Sequence, residues 1–187
     1  MSMTSGATSR QAGAKRCARL TLVLGGARSG KSRYAESLIA ATPPPWVYVA
    51  TAQALDAEMA ERIAHHRKRR GDGWHTIEEP HDLQDAIDAA PAGAAVLVDC
   101  LTLWLTNRML ADADMGAETA RLEAALARRN GLTVLVSNEV GSGIVPDNAL
   151  ARRFADLQGR LNQRLAACAD RVVLLVAGLP LIVKGQA

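Results

Sequence analysis

Eight residues near the amino end, Gly25-Gly26-Ala27-Arg28-Ser29-Gly30-Lys31-Ser32, have the types and spacing needed to hold a chain of phosphates. They fit the pattern G-x-x-x-x-G-K-[ST]. The glycines let the backbone wrap close to oxygen atoms, so successive N–H groups can point inward as an anion nest. Lys31 would reach the β- and γ-phosphates, and the Ser32 hydroxyl would ligate Mg2+. Position gives the pattern its weight. It follows the apolar run Leu20–Leu24 and opens the helical stretch Lys31–Ala41, whose N-terminus adds partial positive charge. The chemistry on offer is capture of a nucleoside triphosphate.

A magnesium site of this kind also needs a carboxylate at the end of a buried strand. The run Ala94-Ala95-Val96-Leu97-Val98-Asp99 supplies one, with Asp99 emerging at the carboxyl edge where open α/β sheets bind ligands. A second run, Leu132–Val136, leads into Ser137-Asn138-Glu139. Glu139 either orients the attacking group or a metal-bound water, or caps the turn that follows; the sequence leaves both open.

These groups need elements to carry them. Strands are expected at Leu20–Leu24, Val47–Ala50, Ala94–Val98, Leu132–Val136 and Arg171–Val176, with a lesser one at Leu181–Val183. All are short and rich in Val, Leu and Ile, as strands buried on both faces require. Helices are expected at Lys31–Ala41, Asp56–Arg70, Leu83–Ala90, Leu101–Leu110, Ala117–Arg129 and Asp147–Ala169. The last carries Leu150, Phe154, Leu157, Leu161, Leu165 and Cys168 at steps of three or four, a stripe that should face the core. Strand–helix alternation predicts an α/β fold, a mainly parallel sheet flanked by helices. With the phosphate loop, that is the P-loop NTPase (RecA-like) architecture.

Composition narrows the field. The 187 residues, 49% hydrophobic and 22% charged, suit one domain over 20–187 with a core of its own. No run of 18 apolar residues exists, so no membrane span is expected. Cys17, Cys100 and Cys168 are few, odd in number and widely spaced, which argues for a cytoplasmic protein without a disulfide framework or zinc ribbon. The net charge of +3 is concentrated in residues 1–19, where Arg10, Lys15, Arg16 and Arg19 meet no acid. The remainder sums to −1, and aromatics are 3%, so no nucleic-acid-binding surface is expected. The tail itself reads as disordered, either a dispensable extension or early start, or a transit peptide. A regulatory GTPase would show Asp-x-x-Gly and Asn-Lys-x-Asp. Asp99-Cys100-Leu101-Thr102 and Ser137-Asn138-Glu139-Val140 are neither. A small-molecule transferase remains, with a non-catalytic GTP-binding module as the reading from another class.

Several longer segments carry a specific resemblance: GGARSGKS, Val49–Thr51, Asp56–Arg67, Val98–Asn107, Ser137–Ala166 and Val176–Leu181. Together they resemble the bifunctional adenosylcobinamide kinase / adenosylcobinamide-phosphate guanylyltransferase family of cobalamin synthesis, over about residues 20–184. The resemblance implies two reactions at one nucleotide site. ATP or GTP phosphorylates the corrinoid's aminopropanol hydroxyl. GTP then donates GMP to that phosphate through a GMP–histidine intermediate. The matching histidine is His65. Ala50, Thr51, Ala52, the run Arg67, Lys68, Arg69 and Arg70, and Glu78 match nucleotide-contact positions. Asp99 matches a metal position where the family also has Glu. The corrinoid would be the partner molecule, and the chain a homo-oligomer, a trimer.

Local chemistry agrees with His65 over His66. On a helix, His66 shares a face with Met59 and Ile63, whereas His65 lies beside Glu58 and Glu61. Glu61 could accept one ring N–H and leave the other nitrogen nucleophilic, with Lys68 and Arg69 near enough to neutralise a phosphoryl group. Glu78 could pair with guanine's N1–H and N2–H2, though Glu79 beside it offers a competing register. Trp104 is expected in the core, the alternative being contact with the flat corrin ring. Arg152, Arg153, Arg160 and Asn162 are expected on a solvated face of the long helix.

Overall fold

The computed structural model describes residues 19–53, 57, 61 and 70–186. Within them, seven strands form one sheet: β1 (Leu20–Gly25), β2 (Trp46–Ala50), β3 (Trp74–Glu78), β4 (Ala95–Asp99), β5 (Thr133–Asn138), β6 (Arg171–Val176) and β7 (Leu179–Lys184). Their order is β3-β2-β4-β5-β1-β6-β7. All neighbouring pairs are parallel except β6 and β7. The helices are α1 (Lys31–Ala40), α2 (Leu83–Ala89), α3 (Leu101–Leu110), α4 (Met115–Arg128) and α5 (Ala149–Cys168).

Strand alternation divides the core in two. Leu22, Val47, Val49, Val96, Val98, Leu135 and Val172 face one way and pack with Leu83, Leu101, Trp104, Leu122, Leu161 and Leu165 from α2 to α5. Val23, Tyr48, Leu97, Val134, Val136, Val173 and Leu175 face the other way, against Ala35 and Ile39 of α1. Both faces of the central strands are therefore dry, which explains their unbroken apolar runs. Asp114 starts α4 by accepting from the Gly116 and Ala117 amides, and Asn148 starts α5 by accepting from Ala151. Each cap places the helix start about two residues from where hydrophobic spacing alone puts it.

The fold class agrees with the expectation, and three details differ. β3 was not expected, because WHTIE mixes polar and apolar residues and lies on the sheet's edge, half exposed. The stripe on α5 is core only in its middle: Leu161 and Leu165 are buried, while Leu150 is 56% exposed and Cys168 is exposed. Asn162 is not on a solvated face but buried, together with Gln158 and Ser137. Most of the expected helix Asp56–Arg70 and residues 1–18 lie outside the described residues; Ala57 and Glu61 are helical and Arg70 is not.

Candidate nucleotide site at the strand ends

Six parallel strands finish on one edge, and the candidate groups gather there. Gly25 pairs with Asn138 on one side and Leu175 on the other. Ala50 lies opposite both Glu78 and Asp99. Across the sheet, β4 with Asp99 lies two strand intervals from β1, about 10 Å, and β3 with Glu78 four intervals, about 19 Å. The edge thus has a phosphate end at β1 and a far end at β2–β3.

At the phosphate end, the loop from Gly25 to Gly30 returns to α1 with Gly30 at φ +94° and no side chain capping the helix. The first amides of α1 therefore point outward unfilled, the arrangement that binds an anion. A Cβ on Gly25 would stand 2.6 Å from both Leu175 O and Ser29 Oγ. Only glycine lets this strand end run so close to β6. Ser29 Oγ is buried without a hydrogen-bond partner. Lys31 is buried, and its Nζ donates to Gly26 O at 2.7 Å. Burial lowers its pKa, a shift that neighbouring Cys100 and Asp99 partly oppose. Gly26, Ala27 and Arg28 are exposed on the rim, and Ser32 is half-buried. The β6–β7 turn braces this loop from behind, Gly178 N donating to Ser29 O at 3.1 Å.

Asp99 is half-buried at the end of β4, its Oδ2 accepting from the Tyr48 hydroxyl at 3.0 Å. Burial and the Asp99 charge push the Tyr48 pKa far up, so the phenol remains a donor. Burial, then Asp99, raises the Cys100 thiol from 9.0 to about 11. Ser32 and Asp99 offer hard oxygen donors. No cluster of three His, Cys, Asp or Glu side chains exists among the described residues. That set suits Mg2+, which keeps waters and phosphate oxygens and takes only one or two protein ligands.

At the far end, Ala50 and Ala52 are half-buried, but the Thr51 side chain is fully enclosed. Its hydroxyl donates to Cys100 O and accepts from Cys100 N, clasping β2 to β4. Asn107 Nδ2 donates to both Thr51 O and Pro80 O at 3.0 Å. Thr51 is thereby a brace, and Ala50 and Ala52 form the surface. Glu78 is exposed at the tip of β3. Glu79 accepts from the His81 and Asp82 amides at 2.9 Å, bonds that hold the turn between β3 and α2. Arg70 stacks over the Tyr48 ring. His65, Arg67, Lys68 and Arg69 lie outside the described residues.

Trp104 takes its expected place, Glu139 makes the cap that was one of its two readings, and Asn162 changes. Trp104 is fully buried, with Nε1 donating to His81 O, so it lies in the core and presents no face to a corrin ring. Glu139 is exposed and caps the turn after β5, accepting from Gly141 N at 2.7 Å. Asn162 donates to Asn138 O and accepts from Ser137 Oγ, stiffening β5 beside the phosphate loop. Tyr48 and Asn107 escaped the sequence reading. Period-two spacing puts Tyr48 on the same face as Ala50, a signal visible in the sequence; Asn107 gave none.

A family model described as cobinamide kinase / cobinamide phosphate guanyltransferase matches residues 21–183. The chain is 50% identical over 169 residues to the bifunctional adenosylcobalamin biosynthesis protein CobP of Pseudomonas aeruginosa, covering 88% of this chain and 97% of that one. It is 45% identical over 182 residues to the bifunctional adenosylcobalamin biosynthesis protein CobU of Salmonella typhimurium, covering 88% and 99%. A solved structure from Pyrococcus horikoshii OT3 superposes with a TM-score of 0.54 at 10% identity, covering 90% of this chain and 87% of that one. At that identity the likeness concerns the fold alone.

Proposed function

The chain belongs to the cobinamide kinase / cobinamide phosphate guanyltransferase family, and we propose that residues 20–187 run both reactions of that family along the strand-end edge. The observation that carries the reading is the family match over 21–183, a span that includes the entire phosphate loop and Asp99. In the first reaction, the aminopropanol hydroxyl of adenosylcobinamide attacks the γ-phosphorus of ATP or GTP. The bond to the β-phosphate oxygen breaks, the nucleoside diphosphate leaves, and the hydroxyl proton is released. Gly25–Ser32 hold the phosphates by backbone N–H groups, and Lys31 exchanges Gly26 O for a phosphate oxygen, where its charge counts most as negative charge shifts to the leaving group. Ser32 and Asp99 would hold Mg2+, which supplies charge neutralisation on the phosphate oxygens when bound.

In the second reaction, His65 attacks the α-phosphorus of GTP and pyrophosphate departs. A phosphate oxygen of the corrinoid then attacks that phosphorus, the P–N bond breaks, and His65 is regenerated with adenosylcobinamide-GDP as product. Ala50, Ala52 and Glu78 receive the guanosine, with Glu78 as the acceptor for guanine N1–H and N2–H2. Arg67, Lys68, Arg69 and Arg70 offset phosphate charge, and Glu61 orients the His65 ring. The protein works in the cytoplasm as a homotrimer. The free apolar face of β7 supports assembly, and no described helix is long and apolar enough to cross a membrane.

The test is separation of the two activities. His65→Ala should keep corrinoid phosphorylation, which needs no protein nucleophile. It should lose the acid-labile, alkali-stable label left by α-32P-GTP and make no adenosylcobinamide-GDP. A label that persists in His65→Ala and vanishes in folded His66→Ala would move the nucleophile to the neighbouring residue. A parent enzyme that takes no label would leave a simple kinase or a binding module.

A further inference from the structure

Tyr48 presents a hydroxyl that packing does not require. The residue is 5% exposed among Ala35, Ile39, Leu97 and other apolar side chains, where a phenylalanine would fill the same space. A buried hydroxyl is costly unless paired, so its partner states its purpose. That partner is Asp99 Oδ2, at 3.0 Å. Backbone register makes the pairing possible: Tyr48 lies opposite Leu97 and Ala50 opposite Asp99, so the phenol rises on the same face toward the carboxylate two residues further along. The ring plane is fixed as well, by the Arg70 guanidinium 3.4 Å above its centroid. The Tyr48 bond engages Oδ2 and leaves Oδ1 as the carboxylate's other oxygen.

We infer that Tyr48 is a positioning residue: it pins one oxygen of Asp99 and so turns the other toward the phosphate-bound cation. The inference rests on the reading of Asp99 as the magnesium carboxylate. As the one acidic ligand proposed among the described residues, Asp99 gains from such orientation, because a metal ion demands a fixed ligand direction and partners behind the ligand supply it.

The experiment titrates Mn2+ into the protein saturated with GDP and reads free Mn2+ by electron paramagnetic resonance. Tyr48→Phe keeps the ring and its stack and removes only the hydroxyl. Its Mn2+ dissociation constant should rise about tenfold, the usual scale for losing a partner behind a ligand. Kinase kcat should return at high Mg2+. Asp99→Asn should weaken Mn2+ further, and Tyr48→Phe/Asp99→Asn should match Asp99→Asn alone. Normal Mn2+ affinity in Tyr48→Phe, with Asp99→Asn weakened, would overturn the inference and leave the metal assignment standing. Normal affinity in Asp99→Asn would overturn both. An equal loss from Tyr48→Phe in the parent and in the Asp99→Asn background would mark a general structural effect and overturn the inference too.

Discussion

Cys100 sits one residue beyond Asp99, joined to it by a cis peptide, and its chemistry follows from burial. The thiol is raised from 9.0 to about 11. Because the neutral thiol is the form the fold accepts, its contribution is complete below pH 9 and is lost as the pH climbs through 11. At pH 8, iodoacetamide should therefore label the exposed Cys168 and leave Cys100 untouched, read by peptide mass mapping. Urea unfolding midpoints should fall between pH 9 and 11, and Cys100→Ser should flatten that fall. Rapid alkylation of native Cys100 at pH 8 would contradict its placement. At this scale the sequence was legible where chemistry needs a rare residue at a fixed spacing. Lys31, Ser32 and Asp99 announce themselves through the motif and the strand end. Tyr48, Asn107 and Asn162 do not, because their partners lie on elements 24 to 56 positions away and only folding brings them together.

Among the elements, the phosphate loop depends on a hairpin far from it in sequence. Ala177 and Gly178, at φ +50° and +83°, form the two-residue turn between β6 and β7, the hand that suits twisted strands. That turn donates Gly178 N to Ser29 O, and β6 runs against Gly25. Gly25→Ala should then fail in two ways at once. The new Cβ would meet Leu175 O and Ser29 Oγ at 2.6 Å; the serine can rotate aside, but the Leu175 carbonyl cannot retreat without moving the β6 backbone. Overpacking of this kind costs about 1–3 kcal/mol, and the displaced loop should bind a fluorescent GTP analogue at least tenfold more weakly. Gly26→Ala is the control, since nothing lies within 4 Å of its Cβ position. If both variants bound alike, the close approach of β1 to β6 would have no functional weight. Most elements could be read from apolar runs and periodicity. β3 could not, because an edge strand needs only one good neighbour and one covered face, and WHTIE therefore lacks the apolar run of a central strand.

At the scale of the whole molecule, the sheet ends in β3 on one side and β7 on the other. An exposed edge strand normally carries charge to discourage pairing with other chains. β7 does the reverse. Leu179, Leu181 and Val183 alternate along one face and are 72%, 58% and 62% exposed, with Val176 of β6 beside them at 57%. The strand's one charge, Lys184, is turned back to the carbonyls of Ala166 and Ala167 at the end of α5. The opposite face is spoken for, since Ile182 packs into the cluster under α1. Three large aliphatic side chains in a row, with no charge among them, are what the proposed assembly would cover. Leu179→Lys/Leu181→Lys should place two like charges where subunits meet. Each lysine would be excluded from a dry interface, so the assembly should dissociate while the monomer stays folded, because neither position contributes to its core. Sedimentation equilibrium at micromolar concentration should give about three times the chain mass of 19.8 kDa for the parent and one chain mass for the variant. Unchanged circular dichroism would confirm that only association was lost. A variant that kept the parent's mass would sink the assignment of β7 to the interface, and a monomeric parent would sink the homotrimer itself.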